Sequence, residues 1–387
     1  MTPLAASKCS PQLRLRLRFS PCHRRPWLAL TIAKSADTAL VPCYLARVPA
    51  SLTETLRWLV DIPSETGNET AIRDALADRL RGRPQTIINR SLVVGDPAPG
   101  SVLLLGHTDT VPLQGHVGAR IEGDRLYGLG ATDMKGGVAV LVHLVEALDD
   151  EIVGIFYAGE EGPLDGNDLA LVLARLPMLE QAAAGIVMEP THRELHAGCQ
   201  GSVNATVTFV GEAAHSARPW LGVNAVSRAG PFLTAMGALE PEPHPIEGLE
   251  FKEVISITRA SGGIASNVIP SRFELNVNYR FSPDRTSDEA VERLRLVCGA
   301  ADAFEVTDVA PAAYPAISHP LFESLAANAR AKLSHKQGWT DVAQLAQRGI
   351  PAVNFGPGDS SLAHKPGESI VLADLDWAYE ALLKTLG

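Results

Sequence analysis

Two adjacent glutamates, Glu160 and Glu161, close the apolar run IFYAGEEG at 155–162. Side by side their carboxylates repel, and burial sharpens that repulsion unless cations lie close. Alone, such a pair reads as a solvated corner between a strand and a loop. The chain, however, places other metal-capable side chains in comparable positions. GHTDTVP (106–112) sets His107 and Asp109 just past the run VLLL, where side chains two apart share one side of an extended segment. Asp109 is then placed to accept the second ring N–H of a liganding His107. GLGATDMKGG puts Asp133 in a glycine-rich turn ahead of a helix, VMEP puts Glu189 at the end of a run, and SSLAHKPGE puts His364 after the last run. Taken singly, Asp133 is an ordinary helix N-cap, Glu189 an exposed acid and His364 a loop histidine. Taken together, they fall past the carboxyl ends of apolar runs or at the adjacent turns. In an open α/β sheet that edge binds ligands.

Two imidazoles with several carboxylates suit Zn²⁺, and two ions ~3.5–4 Å apart are a common arrangement. Cations would also give the adjacent glutamates a division of labour. One holds metal, while the other takes a proton from an activated water and passes it to a leaving amine. The implied reaction is metal-assisted hydrolysis, of an amide above all.

The elements that must position these residues are legible in outline. The 387 residues correspond to about two domains, and 46% apolar content describes a globular chain. No window reaches the ~20 uninterrupted apolar residues of a membrane span. A net charge of −10 argues against nucleic acid or an anionic membrane as partner of the folded body. That charge is uneven. Residues 1–50 carry eight Lys and Arg against Asp37 alone, a balance of +7 that leaves −17 for the remainder. This basic head lacks the apolar core and cleavage site of a secretory signal. It reads as a targeting extension or an over-extended reading frame with a true start near Val48, and is expected to be dispensable or absent in the mature protein. As a nucleic-acid arm it offers little for base stacking beyond Trp27. Five cysteines without CxxC spacing build neither a disulfide framework nor a zinc knuckle, and a reducing cytoplasm is expected.

From Ser51 onward, LTETLRWLVDI and TAIRDALADRLRG read as amphipathic helices. SVLLLGH, EIVGIFYAG, AAAGIVMEP and IPAVNFGPG are short apolar runs of the kind found in a sheet covered on both faces, which predicts an α/β domain. Between about Gly201 and Pro311 the pattern changes. NATVTFVG, EFKEVISITRA and RFELNVNYRFS alternate, WLGVNAVSRAGPFLTAMGAL is helical, and Thr286 with Glu289 makes a capping box for SDEAVERLRLVCG. The order β-α-β-β-α, with a last strand near FEVTDV, predicts a two-layer α+β domain over 201–311, inserted between catalytic segments 51–200 and 312–387.

GHTDTVP, GATDMKGG, AGEEG, MEP and LAHKPGE, in that order, resemble the five signatures of the co-catalytic zinc metallopeptidase family. That family contains aminoacylases, glutamate carboxypeptidase, acetylornithine deacetylase and succinyl-diaminopimelate desuccinylase. The resemblance runs from Ser51 to the C-terminus. It implies a mixed-sheet zinc-hydrolase domain and two Zn²⁺ per subunit, with Co²⁺ or another divalent ion acceptable at one site. His107 and Glu189 would bind one ion, Glu161 and His364 the other, and Asp133 would bridge them. Glu160 would be the general base and acid, Asp109 would orient His107, and a cis peptide would follow Asp133. The inserted domain resembles the family's dimerisation or lid domain, which implies a homodimer in which His215 of EAAHSARP reaches the partner's active site. Asn267 and Arg280 would contact substrate, Arg280 through a carboxylate. Read without that family, they are a turn asparagine and a solvated strand arginine.

GCQGS, HSARPWLG, KQGWTDVAQL and VNFGPGDSSLAH look most like the succinyl-diaminopimelate desuccinylase branch, which implies a small N-acyl amino-acid substrate. One departure stands out, since better-known members carry arginine where this chain reads Cys199–Gln200. Arg218 is the expected replacement for that charge, and Thr340 and the Gly356–Gly358 loop are expected to line the acyl or amino-acid pocket. The alternatives are another deacylase or carboxypeptidase of the family, such as an acetylornithine deacetylase, or a metal-binding protein without catalysis.

Overall fold

The computed structural model describes residues 51–113, 115, 118–148 and 152–387. The basic head 1–50, with the expectations placed on it, lies outside them. Helix α1 (Leu52–Val60) is capped by the Ser51 hydroxyl, which accepts from the Glu54 N–H, and it buries Leu56 and Leu59. Next come α2 (Thr70–Arg79), the hairpin β1 (Gln85–Ile88) and β2 (Ser91–Val94), then β3 (Val102–His107), β4 (Arg120–Glu122) and β5 (Arg125–Tyr127). Helix α3 (Gly136–Ala147), β6 (Ile152–Tyr157), α4 (Asp168–Arg175), β7 (Ala184–Val187) and β8 (Leu195–Ala197) complete the first stretch. The middle of the chain runs β9 (Gly201–Val210), α5 (Ala225–Gly237), β10 (Glu242–Ile246), β11 (Leu249–Gly262), β12 (Arg272–Phe281), α6 (Ser287–Val297) and β13 (Ala303–Ala310). The last stretch is α7 (Pro320–Ala329), β14 (Leu333–His335), α8 (Val342–Ala346), β15 (Ala352–Asn354), β16 (Ser369–Val371) and α9 (Leu372–Leu386).

The first and last stretches share an eight-stranded mixed sheet in the order β1-β2-β6-β3-β7-β15-β8-β14. Within it β6, β3, β7 and β15 are mutually parallel neighbours, so their carboxyl ends open on one edge. Both faces are covered. Leu104 and Ile186 pack with Leu56, Leu141 and Leu375 of α1, α3 and α9, while Leu103, Leu105 and Ile155 pack with Leu169 and Leu345 of α4 and α8. Burial at every position of IVGIFY explains why β6 reads as an unbroken apolar run instead of an alternation.

The middle stretch forms a five-stranded antiparallel sheet, β10-β11-β12-β9-β13, with α5 and α6 on one face. RFELNVNYRF alternates because only one side of β12, including Phe273, Leu275 and Val277, joins that core. The Thr286–Glu289 capping box forms as expected. One strand departs from the expected order. β10 adds a sheet edge between α5 and β11, and its sequence, EPHPI, hides it, because proline is tolerated only where a strand has no outer partner. Strands β4, β5 and β16, which make a small third sheet, are each three residues long and too short to show a period.

Candidate metal centre and active site

The parallel strand ends converge as the apolar runs predicted. His107 is the last residue of β3, Glu160 and Glu161 follow β6, Glu189 follows β7, and His364 lies on the loop after β15. Local backbone chemistry fixes each one. Gly159 takes a φ of +81°, and a Cβ there would sit 2.2 Å from the Gly166 carbonyl oxygen, so only glycine permits the turn that presents Glu160. Before α3 the Glu368 carboxylate accepts the N–H groups of Gly130, Thr132 and Asp133 at 3.0–3.1 Å, pinning the loop that carries Asp133. The Asp133–Met134 peptide is cis, as the resemblance implied. Gly137, the second residue of α3, lets that helix touch the Met188–Glu189 segment after β7. A Cβ at this position would meet the Met188 oxygen at 2.1 Å.

Among the described residues three overlapping donor groups result, one of them His107, Glu160 and Glu161. His107, Asp133 and Glu189 keep ligand atoms within 4.8 Å of one another, and so do Asp133, Glu161 and His364. Asp133 is shared, with Oδ1 3.2 Å from His107 Nε2 and Oδ2 3.5 Å from His364 Nε2. Glu189 Oε1 lies 3.8 Å from His107 Nε2, and Glu161 Oε1 lies 2.8 Å from His364 Nε2. Imidazole nitrogens and carboxylate oxygens around a common carboxylate fit a pair of Zn²⁺-like cations. Another group, Glu242–His244–Glu253, has its Glu253 carboxylate already engaged by Tyr279 Oη at 2.6 Å and Arg285 Nε at 2.9 Å.

Asp109 has more to do than the sequence indicated. Its Oδ1 lies 3.5 Å from His107 Nδ1, slightly farther than its own backbone oxygen at 3.2 Å. The carboxylate is committed instead to the adjacent glutamates. Oδ1 accepts the Glu160 N–H at 3.1 Å, and Oδ2 accepts the Glu161 N–H at 3.0 Å and the Thr66 hydroxyl at 2.9 Å. One fully buried carboxylate thereby ties the backbone of the glutamate pair to the histidine.

Burial shifts both carboxyls of the pair upward. Burial lifts the Glu160 carboxyl well above the usual range; Glu189, Asp341 and Glu161 add to this, and His107 opposes it. Burial also raises Glu161, against the hydrogen bond to His364. Burial works against the charged imidazolium of His107, yet the nearby carboxylates of Asp109 and Asp133 raise its value well above normal. Among the described residues no hydrogen bond reaches the Glu160 carboxylate, and this side chain lines a cavity of about 140 Å³.

That cavity also holds Arg280, Asn167, Ser202, Asn204 and Trp339, so Arg280 of β12 is the predicted substrate residue that lies with Glu160. Burial pulls the Arg280 value down, and its Nε donates to Asn278 at 3.2 Å. His215, Arg218 and Asn267 cluster elsewhere, exposed on loops of the five-stranded region. The Ser216 N–H donates to the Asn267 oxygen at 2.9 Å and the Arg218 N–H to the His215 oxygen at 2.8 Å. Thr340 is buried with its hydroxyl unpartnered. Gly356 packs against backbone, where a Cβ would lie 2.2 Å from the Met188 oxygen, so its small size lets the β15 loop close on the segment bearing Glu189.

Sequence reasoning missed three acidic or basic participants. Glu368 carried no pattern beyond a loop acid. Asp341 accepts from Tyr157 Oη at 2.7 Å and from Asn167, and burial pushes its carboxyl up to about 6. Lys336 places Nζ 3.1 Å from Glu189 Oε2. Both Asp341 and Lys336 sit in or beside KQGWTDVAQL, where the buried-run signal is too short to orient a side chain.

Residues 103–387 match the sequence profile described as Peptidase family M20/M25/M40. A Mycobacterium tuberculosis protein provisionally assigned as succinyl-diaminopimelate desuccinylase DapE is 38% identical over 339 residues, covering 85% of this chain and 96% of its own length. The Corynebacterium glutamicum succinyl-diaminopimelate desuccinylase is 36% identical over 328 residues, 80% of this chain and 89% of its own. Among solved structures, the M20 family metallo-carboxypeptidase Sso-CP2 of Sulfolobus solfataricus shares the fold, with a TM-score of 0.69 at 15% identity, covering 87% of this chain and 99% of that one.

Proposed function

The chain belongs to peptidase family M20/M25/M40, and on that premise we propose that it is a zinc-dependent amide hydrolase that cleaves N-succinyl-LL-2,6-diaminopimelate to succinate and LL-diaminopimelate. The observation that carries the reading is the shared carboxylate of Asp133 between His107–Glu189 and Glu161–His364, with Glu160 beside them and unengaged. The names of the mycobacterial and corynebacterial relatives support the substrate.

His107, Asp133 and Glu189 would hold one zinc ion, and Asp133, Glu161 and His364 the second. Bound there, the ions would polarise the scissile carbonyl and acidify the attacking water. Glu160, a carboxylate made more basic by burial, takes the proton of that water as its oxygen bonds to the carbonyl carbon. The same carboxyl then delivers the proton to the leaving nitrogen as the C–N bond breaks. Asp109 fixes the backbone of the glutamate pair so that Glu160 stays over the cavity while Glu161 turns to His364. Arg280, which lines the same cavity, grips a substrate carboxylate.

Residues 201–311 act as a lid and dimerisation domain, and His215 with Asn267 serves the partner subunit's site in a homodimer. Their exposure in a single chain, outside the cavity that Glu160 lines, supports that arrangement. The enzyme works in the cytoplasm. No helix among the described residues is long and apolar enough to cross a membrane. Comparing hydrolysis of N-succinyl-LL-diaminopimelate with that of N-acetylornithine tests the substrate, and preference for the acetyl compound would overturn it in favour of an acetylornithine deacetylase.

A further inference from the structure

We propose that Lys336 reads the free carboxylate of the substrate's acyl group and so selects a dicarboxylic acyl chain over a plain one. The inference rests on the amide-hydrolase reading above and adds the residue that decides which acyl group is accepted. A succinyl group presents a second carboxylate two methylenes from the carbonyl that is attacked. Inside a closed site that carboxylate needs a cationic partner, because burying it unpaired is strongly unfavourable.

Besides Arg280, which lines the cavity with Glu160 and is assigned to the amino-acid carboxylate, three positions could supply the charge. The Cys199–Gln200 segment supplies none. Cys199 is fully buried, burial pushes its thiol up to about 11, and Gln200 donates to the Lys252 oxygen at 2.6 Å. Arg218 is exposed, hydrogen-bonded through its backbone to His215, and not among the residues that line the cavity with Glu160. Lys336 is different. Its side chain is 12% exposed, and its Nζ sits 3.1 Å from Glu189 Oε2. Among the described residues Glu189 is the only hydrogen-bond partner of that ammonium, which has three donors. Glu189 is also a member of the His107–Asp133–Glu189 group, so the lysine stands one residue away from where the scissile carbonyl must bind.

The reach fits a short diacid. The carboxylate of a succinyl group lies about 4–5 Å from its amide carbonyl carbon, by ordinary bond lengths. The Lys336 ammonium, 3.1 Å from a carboxylate of the metal-ligand set, stands beside that set, and acetyl has nothing to offer it. Lys336 and Arg280 are thus two separate cations near Glu160, Arg280 in the cavity wall and Lys336 against Glu189. They match an acyl carboxylate on one side of the scissile bond and an amino-acid carboxylate on the other. His196 and His335 flank the lysine, and His196, pulled down to about 4 by burial and by Lys336, adds no competing charge at neutral pH.

The test compares zinc-loaded wild type, Lys336→Met and Lys336→Arg on N-succinyl- and N-acetyl-diaminopimelate, with calorimetric binding of succinate and acetate as a readout independent of turnover. Whatever loss is common to both substrates, Lys336→Met should lower the succinyl-to-acetyl ratio of kcat/KM by about 10–100-fold, as expected for loss of a charge-assisted hydrogen bond. Succinate binding should weaken with it relative to acetate, and Lys336→Arg should keep most of the preference. If wild type prefers succinyl and Lys336→Met keeps that ratio, Lys336 serves only to position Glu189 and the inference is overturned, while the hydrolase reading stands. A wild type that hydrolyses both compounds with no preference for succinyl overturns the inference and the succinyl substrate, while the amide-hydrolase reading stands; a wild type that hydrolyses neither overturns that reading.

Discussion

Glu161 Oε1 lies 2.8 Å from His364 Nε2, whereas the neighbouring Glu160 carboxylate faces the cavity without a hydrogen bond among the described residues. Identical side chains are separated by one backbone step and by Asp109, which accepts both of their N–H groups. Their roles should therefore not be interchangeable. Glu160→Gln should lower kcat by about 10²–10⁴-fold while metal content by elemental analysis stays at the wild-type level. Glu161→Gln should instead lose one of the two metal equivalents. Asp109→Asn replaces one acceptor oxygen with an NH₂ that opposes a backbone N–H, so kcat should fall about 10–100-fold. A stopped-flow comparison finding wild-type turnover in Asp109→Asn would remove Asp109 from the positioning of the pair. The ligand-type residues were legible because each falls just past an apolar run or, for Asp133, in the glycine-rich turn ahead of a helix. Lys336, Asp341 and Glu368 were not, because a buried charge in a loop has no period, and only its partner reveals it.

The same contrast holds among the elements. Strands β3, β6, β7 and β15 were readable as apolar runs because both faces of the sheet are covered, and β9, β11 and β12 were readable as alternations because one face is not. β10 was hidden by its two prolines, and β4, β5 and β16 by their length. The close approach of α3 to the Met188–Glu189 segment is a property of pairs that no single stretch encodes, although GG at 136–137 is its trace. Gly137→Ala should destabilise the fold instead of favouring the helix, because its Cβ would meet the Met188 oxygen at 2.1 Å. Thermal unfolding should show a lower Tm, together with weaker metal retention as Glu189 is displaced. A rise in Tm would mean that helix propensity outweighs the contact. Leu141→Ala, on the fully buried face of the same helix, should lose about 2–5 kcal/mol in denaturant unfolding without that effect on metal.

Across the molecule, the eight-stranded sheet gathers the strand ends and the five-stranded region brings Arg280 to the same cavity. Removing bound metal should leave Asp133, Glu160, Glu161 and Glu189 facing one another with less compensating charge. Chelation should accordingly lower Tm as well as abolish turnover, and zinc should restore both. An unchanged Tm would mean that cations do not hold this cluster together. The central claim is the reaction itself. Its most direct measurement is a deacylation assay on a small panel of N-acyl amino acids, made on chelated protein before and after zinc is returned. The account predicts no turnover without metal, recovery with zinc, and the highest kcat/KM for N-succinyl-LL-diaminopimelate. Turnover that survives chelation, or a clear preference for N-acetylornithine, would contradict it.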